Sequence, residues 1–104
     1  MAETIRHCTQ LACWAGERGT YFHVVISGDA AEEITMAERL RRLEFGARRG
    51  FGSVKVMASI GETRWKTSVF PSKTGDWWLL VSKKVMRKED LELDQELTVE
   101  LELL

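Results

Sequence analysis

A chain of 104 residues holds one domain core and leaves no length for a second, so a single domain over 1–104 is expected. With 44% apolar and 30% charged residues it reads as a folded, soluble protein, and a formal net charge of -1 excludes a long-range pull toward nucleic acid or an anionic membrane. No apolar run nears the roughly 20 residues that cross a bilayer, and the start Met1-Ala2-Glu3-Thr4 lacks a signal-peptide pattern, so a cytoplasmic location without membrane contact is expected.

The spacing of Thr4 to Trp14 predicts a strand, and Gly16-Glu17-Arg18-Gly19 predicts a turn that returns the chain along Thr20 to Ser27 as a hairpin. Cys8 and Cys13 stand at an odd offset on that strand, which sends their thiols to opposite faces. They are expected to be small half-buried hydrophobes and not a disulfide or a metal pair.

Asp29, followed by Glu32 three positions on, has the form of a capping box, so a helix begins there. Within it Ile34, Ala37, Leu40 and Leu43 recur near one helical turn and predict a core-facing stripe, while the basic C-terminal turn suits the helix dipole. After the glycines at 46 and 50, Val54, Val56, Ala58 and Ile60 alternate with Lys55, Met57 and Ser59 as a strand over 51–60. Gly61-Glu62 turns the chain into Thr63 to Phe70, where Trp65, Thr67 and Val69 share one parity. Pro71 stops that strand.

Trp77 to Val81 is a further strand, on which the adjacent Trp77 and Trp78 point to opposite faces, so one of them leaves the main core. Ser82 caps a short helix through Lys88, pinned by Val85 and Met86. The ending is the most regular stretch: Leu97, Val99, Leu101 and Leu103 alternate with Glu96, Thr98, Glu100 and Glu102, a closing strand with an acidic outer face. These elements predict a mainly β, β-rich α+β fold: a small closed or partly open six- to seven-stranded β-barrel with one or two short helices.

The block Gly52 to Val56, Ile60-Gly61-Glu62-Thr63, Trp65-Lys66-Thr67-Ser68-Val69-Phe70-Pro71 and Lys83-Lys84-Val85-Met86-Arg87-Lys88, with the amphipathic ending, resembles a bacterial family of domains of unknown function sometimes fused to a YdeI/OmpD-associated region. Weaker agreement runs back through Tyr21-Phe22 and Trp14. The Trp-Lys-Thr-Ser-x-Phe-Pro stretch is the most specific part. The resemblance implies a small barrel similar to the double-split barrels that include AbrB-type regulators, and it implies no reaction and no cofactor. Where that family carries Gly-Asp in the turn before the last strand, this chain has Asp94-Gln95.

No motif for a phosphate loop, a nucleophile elbow or a dinucleotide fold is present, neither His7 nor His23 stands at a chelating spacing to another His, and no Cys-x-x-Cys occurs. Catalysis by Ser68 with a distant histidine is set aside because Ser68 lies inside a strand. Arg39, Arg41, Arg42, Arg48 and Arg49 surround Phe45 and Phe51, and Lys83, Lys84, Arg87 and Lys88 form a second basic cluster that Arg64 and Lys66 would join if the barrel gathered them. Solvated helix ends and loops are the preferred explanation of both clusters. Against nucleic acid stands the stretch from Glu89 onward, which contains seven acidic residues and no basic one.

Trp65, Trp77 and Trp78 are read first as core and second as a pocket or surface wall. The candidate binding surface is therefore Arg64, Trp65, Lys66, Trp77, Trp78, Lys83, Lys84 and Arg87, with no catalytic, metal or cofactor residue assigned. The expected function is a non-enzymatic binding or interaction module for an unknown ligand or protein partner, as a monomer or homodimer. An AbrB-like nucleic-acid-binding regulator is the alternative.

Overall fold

The computed structural model describes residues 4–45 and 52–104, the side chains of Arg41, Arg42, Glu44 and Phe45 excepted. Among the described residues seven strands and two helices follow one another as β1 (Thr4–Gln10), β2 (Ala12–Gly16), β3 (Gly19–Ile26), α1 (Gly28–Phe45), β4 (Val54–Ile60), β5 (Thr63–Pro71), β6 (Trp77–Val81), α2 (Lys83–Lys88) and β7 (Glu96–Leu103). The strands form one antiparallel sheet in the order β1-β7-β4-β5-β6-β3-β2, curled into a half-barrel. This is the partly open form of the expected barrel.

Residues directly opposite in an antiparallel ladder share a face, so the register sorts the whole sheet. Ile5 stands opposite Leu101, Leu101 opposite Ala58, Val54 opposite Val69, Val69 opposite Leu79 and Leu79 opposite Val24. All of these are buried, and with Val56, Ile60, Trp77, Val81 and Val99 they line the inside of the curl. At roughly 25 cal/mol per Å² of apolar surface removed from water, this alternating face is the main source of stability.

The expected strand over Thr4 to Trp14 is two strands with different neighbours. Its first half pairs with β7 and its second half with β3, so the hairpin partner of β3 is β2 alone. The chain changes partner at Leu11, which is fully buried. There the Leu11 N–H donates to the Gln95 carbonyl at 3.0 Å and the Asp94 N–H donates to the Leu11 carbonyl at 2.8 Å. Because β1 departs, the far half of β3 lacks a ladder partner on that side, and side chains of β1 fill the gap. The Thr9 hydroxyl donates to the Val25 carbonyl at 3.1 Å, and the Ser27 N–H donates to His7 Nε2 at 3.4 Å.

Helix α1 corrects three expectations. It has 18 residues, about 27 Å at 1.5 Å per residue, and so is not short. It starts at Gly28, with the Ala31 N–H donating to the Ser27 carbonyl, so Asp29 lies in the first turn and not at the cap. Its buried residues are Ala30, Ala31 and Ile34, whereas Leu40 is 56% and Leu43 81% exposed. The apolar spacing continues past the edge of the sheet that the helix covers. The contact that does hold α1 runs through Trp77, whose Nε1–H donates to the Thr35 hydroxyl at 3.0 Å while that hydroxyl donates to the Ala31 carbonyl.

Helix α2 starts as expected, with the Val85 N–H donating to the Ser82 hydroxyl at 3.3 Å and Val85 buried. Its C-cap, Glu89, reaches back to the β4–β5 turn and accepts the Thr63 hydroxyl at 2.6 Å. The turn residue Gly61 has φ 59, a left-handed conformation that favours glycine, and a Cβ there would displace the Glu89 carboxylate. In the turn before β7 Asp94 takes φ 67, the left-handed conformation that glycine adopts freely.

Candidate functional site

The two-residue turn Glu17-Arg18 sets Gly16 opposite Gly19 and, two pairs further along, Trp14 opposite Tyr21. Both rings rise from the outer side of the sheet and stack, with centroids 4.8 Å apart and planes at 28°. Trp78, on the outer face of β6, meets Trp14 edge-on at 6.3 Å and lies parallel to the His23 ring at 4.2 Å and 9°. Phe70 stands opposite Trp78, and Leu80 opposite His23. Trp14, Tyr21, Phe70 and Leu80 are each exposed by between 38% and 45%. The result is an apolar, aromatic-rich patch on the convex side of a sheet whose concave side already holds the core. Contiguous exposed apolar surface of this kind marks an interaction site more often than a neutral surface.

Beneath the patch lies His23, only 5% exposed. Its Nδ1 has no hydrogen-bond partner. Burial pushes its pKa below the ordinary 6.5, so the ring is neutral and serves as a flat apolar support for Trp78. The ring lies flat against the Trp78 indole and positions it.

The residues expected to form the binding surface are dispersed. Trp77 is buried on the inner face, and Trp65 packs half-buried against the same core. Trp78 is the indole that leaves the core, as the parity of β6 requires. Arg64 is on the outer face of β5, but six residues from Phe70, about 20 Å along a strand, and it pairs with Glu102 at 3.4 Å. Lys66 is exposed on the same strand, and Lys83, Lys84 and Arg87 are exposed on α2. Of the first basic cluster, Arg39 is exposed on α1, and the side chains of Arg41 and Arg42, like Arg48 and Arg49, lie outside the described residues.

Trp14, Tyr21, Phe70 and Leu80 were not among the expected site residues. A signal for two of them was present, since Trp14 and Tyr21 stand at equal distance on either side of a two-residue turn. Cys8 and Cys13 are free, as expected, but both are exposed and not half-buried, Cys8 on the outer face of edge strand β1 with its Sγ 3.4 Å from the Thr98 hydroxyl and Cys13 on edge strand β2. Among the described residues no group of His, Cys, Asp and Glu is arranged to hold a metal ion, and no helix is long and apolar enough to cross a membrane. Three cavities can be described: one of about 460 Å³ beside the β4–β5 turn, and two of about 220 and 500 Å³ between α1 and the turn before β6. None is lined by Trp14, Tyr21 or Trp78.

Architecture and surface together define a small antiparallel half-barrel with an aromatic convex face. The chain belongs to the family described as Domain of unknown function (DUF1905), whose model matches residues 9–101. No curated protein is similar enough to be matched to it.

Proposed function

We propose that this protein is a non-enzymatic interaction module that receives a protein partner on the convex aromatic face. The carrying observation is the exposure of Trp14, Tyr21, Phe70 and Leu80 around Trp78 on one side of the sheet. A flat convex patch offers no enclosure to a small molecule, which binds where most of its surface is covered. Protein interfaces instead have an aromatic centre and a charged rim, and Lys55 and Lys66 supply such a rim from β4 and β5.

Charge supports this reading over nucleic-acid binding. On the outer face Arg6 is held by Glu100 at 2.6 Å and Arg64 by Glu102, so both guanidinium groups stand beside carboxylates that repel phosphate. Duplex DNA titrated at low salt is expected to show no binding, and binding that weakens steeply with salt would favour the nucleic-acid regulator instead.

The direct test compares proteins crosslinked to the wild-type chain in its own cells with those crosslinked to Trp14→Ser/Leu80→Ser and to a distant Lys83→Ser/Lys84→Ser control. A partner kept by the control and lost by the first variant is expected, with its purified form binding at least tenfold more weakly to that variant, since truncating a central aromatic anchor costs about 2 kcal/mol. Identical sets from all three proteins would sink the proposal, and so would loss through the α2 control alone.

A further inference from the structure

The two margins of the sheet are finished differently. On the β1 side Thr9 and His7 bind across to the backbone of β3 and seal the gap. Among the described residues β2 has no such cover: it stands at the end of the sheet, pairs with β3 alone, and exposes Cys13, Trp14 and Ala15. An edge strand presents unpaired N–H and C=O groups, and proteins normally blunt it with lysine, proline, bulges or inward charges. Ala12-Cys13-Trp14-Ala15-Gly16 contains no charge and no proline, and its register with β3 runs without a bulge from Ala12 to Gly16.

We propose that β2 is the pairing edge for a second copy of this chain, joined antiparallel about a two-fold axis at Trp14 so that the two sheets become one. Symmetry favours a second copy over a foreign strand, because an antiparallel edge complements itself and an uncharged edge has no side-chain code with which to select another sequence. The axis at Trp14 sets Trp14 opposite the second copy's Trp14, with Cys13 opposite Ala15 on either side. A large aromatic pair between small residues is a favourable cross-strand arrangement.

Charge at the ends agrees with the same register. Beyond Ala12 the outer edge is already occupied, because Leu11 is bonded to the turn at Asp94 and Gln95. The Glu17-Arg18 turn of one copy therefore abuts the second copy's acidic turn, where Glu92 and Asp94 are exposed, and Arg18 meets carboxylates twice by symmetry. Glu17 shares the turn and offsets part of this attraction. Strand addition leaves the convex face open, so the inference does not rest on the proposed partner site; it places two aromatic patches side by side.

Sedimentation velocity of the purified chain from about 1 μM to about 1 mM tests this range of association directly. A concentration-dependent dimer is expected, weakened severalfold by Arg18→Glu at low salt and abolished by Cys13→Lys/Ala15→Lys, which sets like charges opposite one another across the axis. Both substituted side chains are exposed, so circular dichroism and Tm of the double variant should match those of wild type at concentrations where the wild type is monomeric. A wild-type monomer throughout the range would overturn the proposal. So would a dimer that survives the double substitution, because it would be built on another surface.

Discussion

Trp77 and Trp78, adjacent in the chain, meet opposite environments: one is fixed in the core by Thr35, and the other lies on the outer face over His23. His23 carries the pH dependence that belongs to this scale. Two effects oppose each other there, since burial penalises the imidazolium while a cation over an indole gains about 1 kcal/mol. Desolvation, with Nδ1 sealed and unpartnered, is the larger, and the folded pKa falls below 6.5. Between that value and 6.5 the unfolded chain binds more protons than the folded one, so stability rises with pH. The contribution is whole above 6.5 and is lost as pH falls through 6.5 toward the folded value. An NMR titration of the His23 ring should give a midpoint below 6.5, and a midpoint above it would mean that the Trp78 stack dominates.

At the scale of elements, α1 separates periodicity from burial. Ile34→Ala should cost about 2–4 kcal/mol by urea denaturation because Ile34 is fully buried against the sheet. Leu43→Lys should change stability by less than about 0.5 kcal/mol, since that side chain is almost wholly in solvent although it has the same helical spacing. The turn before β7 predicts a gain: Asp94→Gly removes a side chain from a residue at φ 67 and should stabilise by about 0.5–1 kcal/mol. A loss from Asp94→Gly in the same denaturation series would mean that its side chain supports the turn more than its backbone conformation costs.

For the molecule as a whole, the bonds described across the gap between β1 and the far end of β3 are made by neutral side chains. Thr9→Val removes the donor to Val25 at nearly constant volume and should cost about 1 kcal/mol, with faster amide exchange along the far half of β3. The ion pairs Arg6–Glu100 and Arg64–Glu102 lie in solvent and contribute little. Raising the salt concentration should therefore leave Tm nearly unchanged. A steep fall in Tm with salt would show that the acidic outer side of β7 depends on these arginines.

By itself the amino-acid sequence determined which side of β4, β5, β6 and β7 is apolar, where α2 begins, and that one of Trp77 and Trp78 must leave the core. Each is a local property, set by the period of two along a strand or by a capping hydroxyl beside its own helix. Only the tertiary structure decided that β1 and β2 divide at Leu11, that the helical stripe of α1 runs beyond its sheet, and that Trp14, Tyr21 and Trp78 meet. Alternation states which face a side chain takes and is silent about which strand lies alongside. The pairings of β1 with β7 and of β3 with β6 join residues far apart in the chain, and the candidate site exists only where β6 comes to lie beside the β2–β3 hairpin.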